Sequence, residues 1–254
     1  MTSPVAPKKP MTVVSPIMQV TLDEMAGRVQ KSRDKHGDLL QEYHKVWYES
    51  DHTWCYTFFL GIGLMKSPND LWVYQQLITE FMPRTIIETG TYQGGSALWY
   101  AMIMQALGID GHVWTIDIED HRKSERSRHL TTHPMVTCLT GDSTDPLLVE
   151  ALVPEIRYPL LISLDADHSA EHVRKELDLY APLCRVGDWL VVEDTNISWG
   201  EPGEPHSDRG ARGGLEDYLR AHEGEFRQDI LCERYLLTMH PGGWLQRVAE
   251  CTHD

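Results

Sequence analysis

The chain has 254 residues, 41 % of them hydrophobic, and a formal net charge of −15 from 38 acidic against 23 basic residues. That length can bury one large core or two small ones, and the acidic excess argues against non-specific nucleic-acid binding, because phosphates need the opposite field. Five scattered cysteines form no Cys-x-x-Cys pair, which argues against a disulfide framework or cysteine zinc site; with no apolar run of membrane-spanning length and no signal peptide expected, the reading is a cytoplasmic enzyme or binding protein.

Residues 1–20 are rich in Pro and Lys and read as a loose tail. Residues 22–46 are polar helix formers with sparse apolar positions and read as one or two surface helices. The next stretch, 46–68, is dense in aromatics; Trp47, Trp54 and Phe58 are expected in a lid, an oligomer contact or a packed flap. Residues 21–69 thus form a helical and aromatic elaboration ahead of the main domain. Asn69 or Asp70 is expected to cap a helix through LWVYQQLITEF, where Leu71, Tyr74, Leu77 and Ile78 recur at helical spacing.

After Pro83 the pattern changes. TIIETG, HVWTIDIED, MVTCLTGD, LLISLDADH and DWLVVEDTN read as buried strands. Between them lie helical segments: SALWYAMIMQAL, stopped by Gly108, then about 169–181, then GARGGLEDYLRAHEGEF. RYLLTMHP and GWLQRV read as a closing antiparallel pair, seven strands in all. Apolar strands alternating with helices predict a doubly wound, Rossmann-like α/β fold over residues 70–254, its sheet mostly parallel and covered on both faces.

Ligands of such sheets sit beyond the C-terminal strand ends, and the acids gather there. The first strand ends at Glu88, followed by Gly90, Gly94 and Gly95 in a turn that lets backbone approach a ligand closely. Ser96 is expected to cap the helix after it. The glycine spacing is not GxGxxG, and no GxxxxGKS/T occurs, so neither a dinucleotide fingerprint nor a phosphate loop is supported. Asp117, ending the second strand, suits paired ribose hydroxyls; Asp142 and Ser143, ending the third, suit an amine or ring nitrogen. A nucleoside carrying positive charge fits this edge better than a pyrophosphate does. The alternative for each is a solvated strand-end acid.

Asp165, Asp167 and His168 follow the fourth strand, and Glu193 and Asp194 the fifth. Carboxylates on adjacent strand ends can converge on a hard cation such as Mg²⁺, which would orient two substrate oxygens and lower a hydroxyl pKa. Turn acids capping helices are the alternative. His168 and His172 share a helical face; either His168 or Asp167 could serve as general base, or His168 could cap or buttress the helix. His121 and His206 fall in expected loops with no assigned role.

Taken together, IIETGTYQGGSALW, TIDIED, GDSTD, LDADHSAEHVRKELDLYAPL and VVEDTN, with KSPNDLWVYQQLI upstream and TMHPGGWLQRV at the end, resemble the cephalosporin hydroxylase / rhamnosyl O-methyltransferase family over about residues 46–248. The resemblance implies a class I S-adenosylmethionine-dependent methyltransferase. Glu88, Gly90, Tyr92 and Gly94 would line the methionine end of S-adenosylmethionine, Asp117 its ribose, and Asp142 and Ser143 would lie near its adenine, with Ser96 also in the cofactor site. Mg²⁺ would sit on Asp165, Glu193 and Asp194. The acceptor implied is a small molecule, a deoxysugar hydroxyl or other glycosylated natural product, and the resemblance also suggests a homo-oligomer. No 2-His-1-carboxylate pattern supports iron–oxygen chemistry. Residues 196–214, rich in glycine and charge, are expected to form a loop over the acceptor pocket. Two rivals remain: a NAD-dependent oxidoreductase, which would need a tighter glycine fingerprint, and a non-catalytic S-adenosylmethionine-binding partner of a tailoring complex, in which the acids of strands four and five would have eroded.

Overall fold

A computed structural model describes residues 21–50, 54–197 and 209–250. The expected tail over 1–20, His206 and most of the expected pocket loop lie outside these residues. The described chain runs α1 (Leu22–Glu49), β1 (Phe58–Phe59), β2 (Ile62–Gly63), α2 (Pro68–Phe81), β3 (Thr85–Thr89), α3 (Gly95–Ala106), β4 (His112–Asp117), α4 (Glu125–Leu130), β5 (Val136–Thr140), α5 (Pro146–Leu152), β6 (Leu160–Leu164), α6 (Ala170–Tyr180), β7 (Trp189–Val192), α7 (Gly210–Ala221), β8 (Phe226–Gln228) and β9 (Trp244–Arg247).

Every residue of β3, β6 and β7 is buried, as expected of parallel strands covered on both faces. Successive residues then serve opposite layers. Ile86, Leu161 and Val191 pack with Tyr74 and Ile78 of α2 and Tyr100 and Met104 of α3. Ile87, Ile162 and Val192 pack with Val173 and Leu177 of α6 and Leu215 of α7.

The seven-stranded sheet has the order β5-β4-β3-β6-β7-β9-β8. Its first five strands pair in parallel, while β9 runs antiparallel to β7 and β8 antiparallel to β9. The chain winds outward from β3 to β5 and returns to place β6 on the other side of β3. The crevice beyond the ends of β3 and β6 is therefore the topological switch point.

Three local expectations need correction. RYLLTMHP is not a strand: β9 pairs instead with Phe226–Gln228. Leu236 adopts φ +66, which breaks an extended run, and the Met239 N–H goes to Asp70 Oδ2 at 2.8 Å. That bond also removes Asp70 as a helix cap. Ser67 holds the cap position of α2 without a side-chain bond, ahead of Pro68, whose missing N–H costs nothing in a first turn. The cap of α3 is Gly94 at φ +86, not Ser96, which lies buried in the first turn.

Before this domain, α1 begins at a capping box between Thr21 and Glu24 and kinks at His36. Arg33 ties it to the far end of the chain through Glu233 at 2.7 Å and the Leu236 carbonyl at 3.2 Å. No helix among the described residues is long and apolar enough to cross a membrane.

Candidate functional site

The turn after β3 makes the site possible. Gly90 adopts φ +83, and a Cβ there would lie 1.9 Å from the Asp165 carbonyl oxygen, so only glycine lets the ends of β3 and β6 come side by side. Tyr92 follows at φ +46, and its N–H donates to Asp117 Oδ2 at 2.8 Å. The turn thereby orients the acid at the end of β4.

Beyond these strand ends lies a cavity of about 660 Å³. Gly90, Tyr92, Ser96, Asp117, Asp142 and Ser143 line it from the β3–β5 side, and Asp165, Asp167, His168 and Asp194 from the β6–β7 side. Trp47 and Trp54 of the aromatic stretch also line it, as do His121 and His172. Phe58, by contrast, is exposed.

Three of the expected residues do not reach the cavity surface. Gly94 serves the turn, where a Cβ would lie 2.4 Å from the Thr131 methyl. Glu88 is fully buried, accepts the Thr115 hydroxyl at 2.7 Å and faces Lys66 at 4.0 Å. Burial raises its pKa to about 7, against the opposing pull of Lys66. Glu193 is also buried. The chain turns at Asp194, φ +54, so that Asp194 lines the cavity while Glu193 faces the interior.

Ligand atoms of Asp165, His168 and Asp194 all lie within 4.8 Å of one another. His168 Nε2 stands 3.3 Å from Asp194 Oδ2. Glu193 sits behind this trio. Its Oε1 accepts from Lys66 Nζ at 2.5 Å, from the Tyr74 hydroxyl at 2.8 Å and from the Ser163 hydroxyl, while Oε2 lies 3.3 Å from His240 Nε2. Lys66 also reaches Asp165 Oδ2 at 2.8 Å. Burial opposes ionisation of Glu193, yet Lys66 and then His240 hold its carboxyl low. Asp165 goes the other way, raised by burial and then by the Glu193 charge, with Lys66 opposing.

Sequence reasoning missed Lys66 and His240. Lys66 stands in the quoted KSPND segment, but nothing local marks a lysine that will be buried. His240 Nδ1 accepts the Asp194 N–H at 3.0 Å and so holds the left-handed turn in place. His172, noted only for its spacing, lies 3.2 Å from Ser143 Oγ and 3.5 Å from the buried Glu176, which raises the imidazole pKa.

Two carboxylates and an imidazole facing one cavity match the donors of a divalent cation. The cavity's size, with the Asp117 and Asp142 carboxylates on its far wall, matches a nucleoside-sized ligand.

The profile of the family described as rhamnosyl O-methyltransferase/CmcI matches residues 51–248. Rhamnosyl O-methyltransferase of Mycobacterium bovis (strain BCG / Pasteur) is 36 % identical over 213 residues, covering 82 % of this chain and 85 % of that protein. The protein of the same name from Mycobacterium leprae is 33 % identical over 227 residues, covering 88 % and 95 %. A solved structure of CmcI with Mg and SAM aligns with TM-score 0.60 and 26 % identity, covering 81 % of this chain and 84 % of that one.

Proposed function

The chain belongs to the rhamnosyl O-methyltransferase/CmcI family, and from that premise we propose that it is an S-adenosylmethionine- and Mg²⁺-dependent O-methyltransferase acting on a sugar hydroxyl, rhamnosyl-like or on another glycosylated natural product. One observation carries the reading: a single cavity at the switch point of the sheet joins acids suited to a nucleoside with the cluster of Asp165, His168 and Asp194.

When bound, S-adenosylmethionine supplies the methyl group and Mg²⁺ supplies positive charge that eases loss of the acceptor proton. Asp117, oriented by the Tyr92 N–H, takes the ribose hydroxyls. Asp142 and Ser143 lie at the adenine end, and the Gly90–Ser96 turn, stiffened from beneath by Glu88, shapes the methionine end. Asp165 and Asp194 would hold the metal at the cavity wall, and Glu193, the third expected ligand, is buried behind them in bonds from Lys66, Tyr74 and Ser163. Of the two base candidates, His168 is the better placed, beside Asp194. Although burial pushes the Asp167 carboxyl up, its bonds from Ser169 win and hold it low, making it the weaker base. Trp47 and Trp54 line the cavity, which supports a lid role for residues 21–69 in excluding water, with an oligomer contact as the other role open to that segment. The protein's main contribution is alignment of acceptor oxygen and methyl carbon.

The test is transfer of labelled methyl from S-adenosylmethionine to rhamnosyl-bearing acceptors, with and without EDTA. Transfer that EDTA abolishes and Mg²⁺ restores is expected. Saturable cofactor binding with no transfer to any hydroxylated acceptor would overturn it in favour of a non-catalytic partner.

A further inference from the structure

Lysine is almost never fully buried unless paired. Lys66 is 2 % exposed, on the segment entering α2, and its ammonium meets carboxylates from the ends of three different strands. It lies 2.5 Å from Glu193 Oε1 beyond β7, 2.8 Å from Asp165 Oδ2 beyond β6 and 4.0 Å from Glu88 Oε1 on β3. Asp165 is the shared member: it bonds Lys66 and also belongs to the cluster with His168 and Asp194.

We propose that Lys66 is the resident counter-cation of the metal site, holding Asp165 and Glu193 together before metal arrives and competing with the divalent cation for the Asp165 carboxylate. The inference rests on the metal placement given under the proposed function. An ammonium and a divalent cation cannot share the same carboxylate lone pairs, and away from water their mutual repulsion is weakly screened. Loading therefore draws Lys66 off Asp165. The ammonium is carried by a short segment whose Leu64, Met65 and Ser67 also line the cavity. Metal occupancy is thereby linked to the shape of the wall facing the acceptor.

The experiment titrates Mn²⁺, an EPR-visible stand-in for Mg²⁺, into the wild type, Lys66→Met and Lys66→Arg, with thermal unfolding of each as a folding control. Lys66→Met removes the charge at similar volume and should bind Mn²⁺ about tenfold tighter or more; Lys66→Arg keeps the charge and should stay within a few-fold of the wild type. Wild-type binding with equal or weaker affinity in Lys66→Met overturns the competition and leaves the metal site standing. No binding in any of the three overturns the metal placement, and the competition with it. Should Lys66→Met not fold, the wild type alone decides. Amine labelling read by mass spectrometry should be faster at Lys66 with Mn²⁺ bound, and an unchanged rate in metal-loaded protein overturns the proposal.

Discussion

Asp117 shows how one residue's role follows from its neighbours. Its Oδ2 is held by the Tyr92 N–H and its Oδ1 lies 3.7 Å from His121 Nε2, yet the carboxylate still lines the cavity. Asp117→Ala removes the acceptor for paired hydroxyls. Calorimetry should show S-adenosylmethionine affinity falling by about 1.5–3 kcal/mol, the range for hydrogen bonds to a charged group; an unchanged Kd would remove the ribose assignment. His168→Ala should lower kcat about a hundredfold, the low end for a lost general base, while cofactor affinity holds. A variant with wild-type kcat and pH profile would return the role to Asp167. At Gly90 a single methyl group would collide with the Asp165 backbone. Gly90→Ala should cost at least about 2 kcal/mol of stability by overpacking and left-handed strain.

Among the elements, the segment from 234 to 241 carries the clearest lesson. Its composition suits a strand, but its hydrogen bonds go elsewhere. Asp70 takes the Met239 N–H at 2.8 Å, the Met239 carbonyl receives the Asn196 N–H at 3.2 Å, and Thr195 Oγ1 donates to the Pro241 carbonyl at 2.9 Å. Each bond presses the segment against the turn after β7 and brings His240 under Asp194. Asp70→Ala should therefore leave a buried N–H unpaired and destabilise by about 1–3 kcal/mol. The same variant should weaken Mn²⁺ binding, because the turn carrying Asp194 loses its support. A denaturation midpoint equal to that of the wild type would show that Asp70 does not hold the segment.

For the molecule as a whole, the question is how α1 stays attached. Arg33 pairs with Glu233, and His44 is buried against the same C-terminal region, close to Thr238. Burial, and then the nearby Arg33 charge, holds the His44 imidazole down to about 4. An unfolded chain takes up that proton near pH 6.5, so the unfolded state binds more protons between pH 6.5 and 4. The contribution of His44 is thus fully present above pH 6.5 and is lost as the pH falls toward 4, by at most about 3 kcal/mol. Melting temperatures measured across this range should fall on acidification, and His44→Phe should flatten the slope. Equal slopes would place the acid sensitivity elsewhere.

Much of this architecture is legible in the chain itself. The strands announce themselves as short apolar runs and the helices through a period of 3.6, and the acids stand at strand ends because each apolar run stops there. The glycines of the first turn mark a close approach, and the structure shows what approaches: the backbone of Asp165. Such signals are local, carried by residues within a turn or two of one another. The tertiary structure decided the rest. It turned Glu193 inward and Asp194 outward, although they are adjacent in sequence. It brought Lys66 to carboxylates 99 and 127 positions away, and His240 to a turn 46 positions away. The physical reason is that a buried charge must find a partner, but any strand end can supply one. Pairing of that kind leaves no period in the sequence, and only the assembled sheet selects which carboxylate meets which cation.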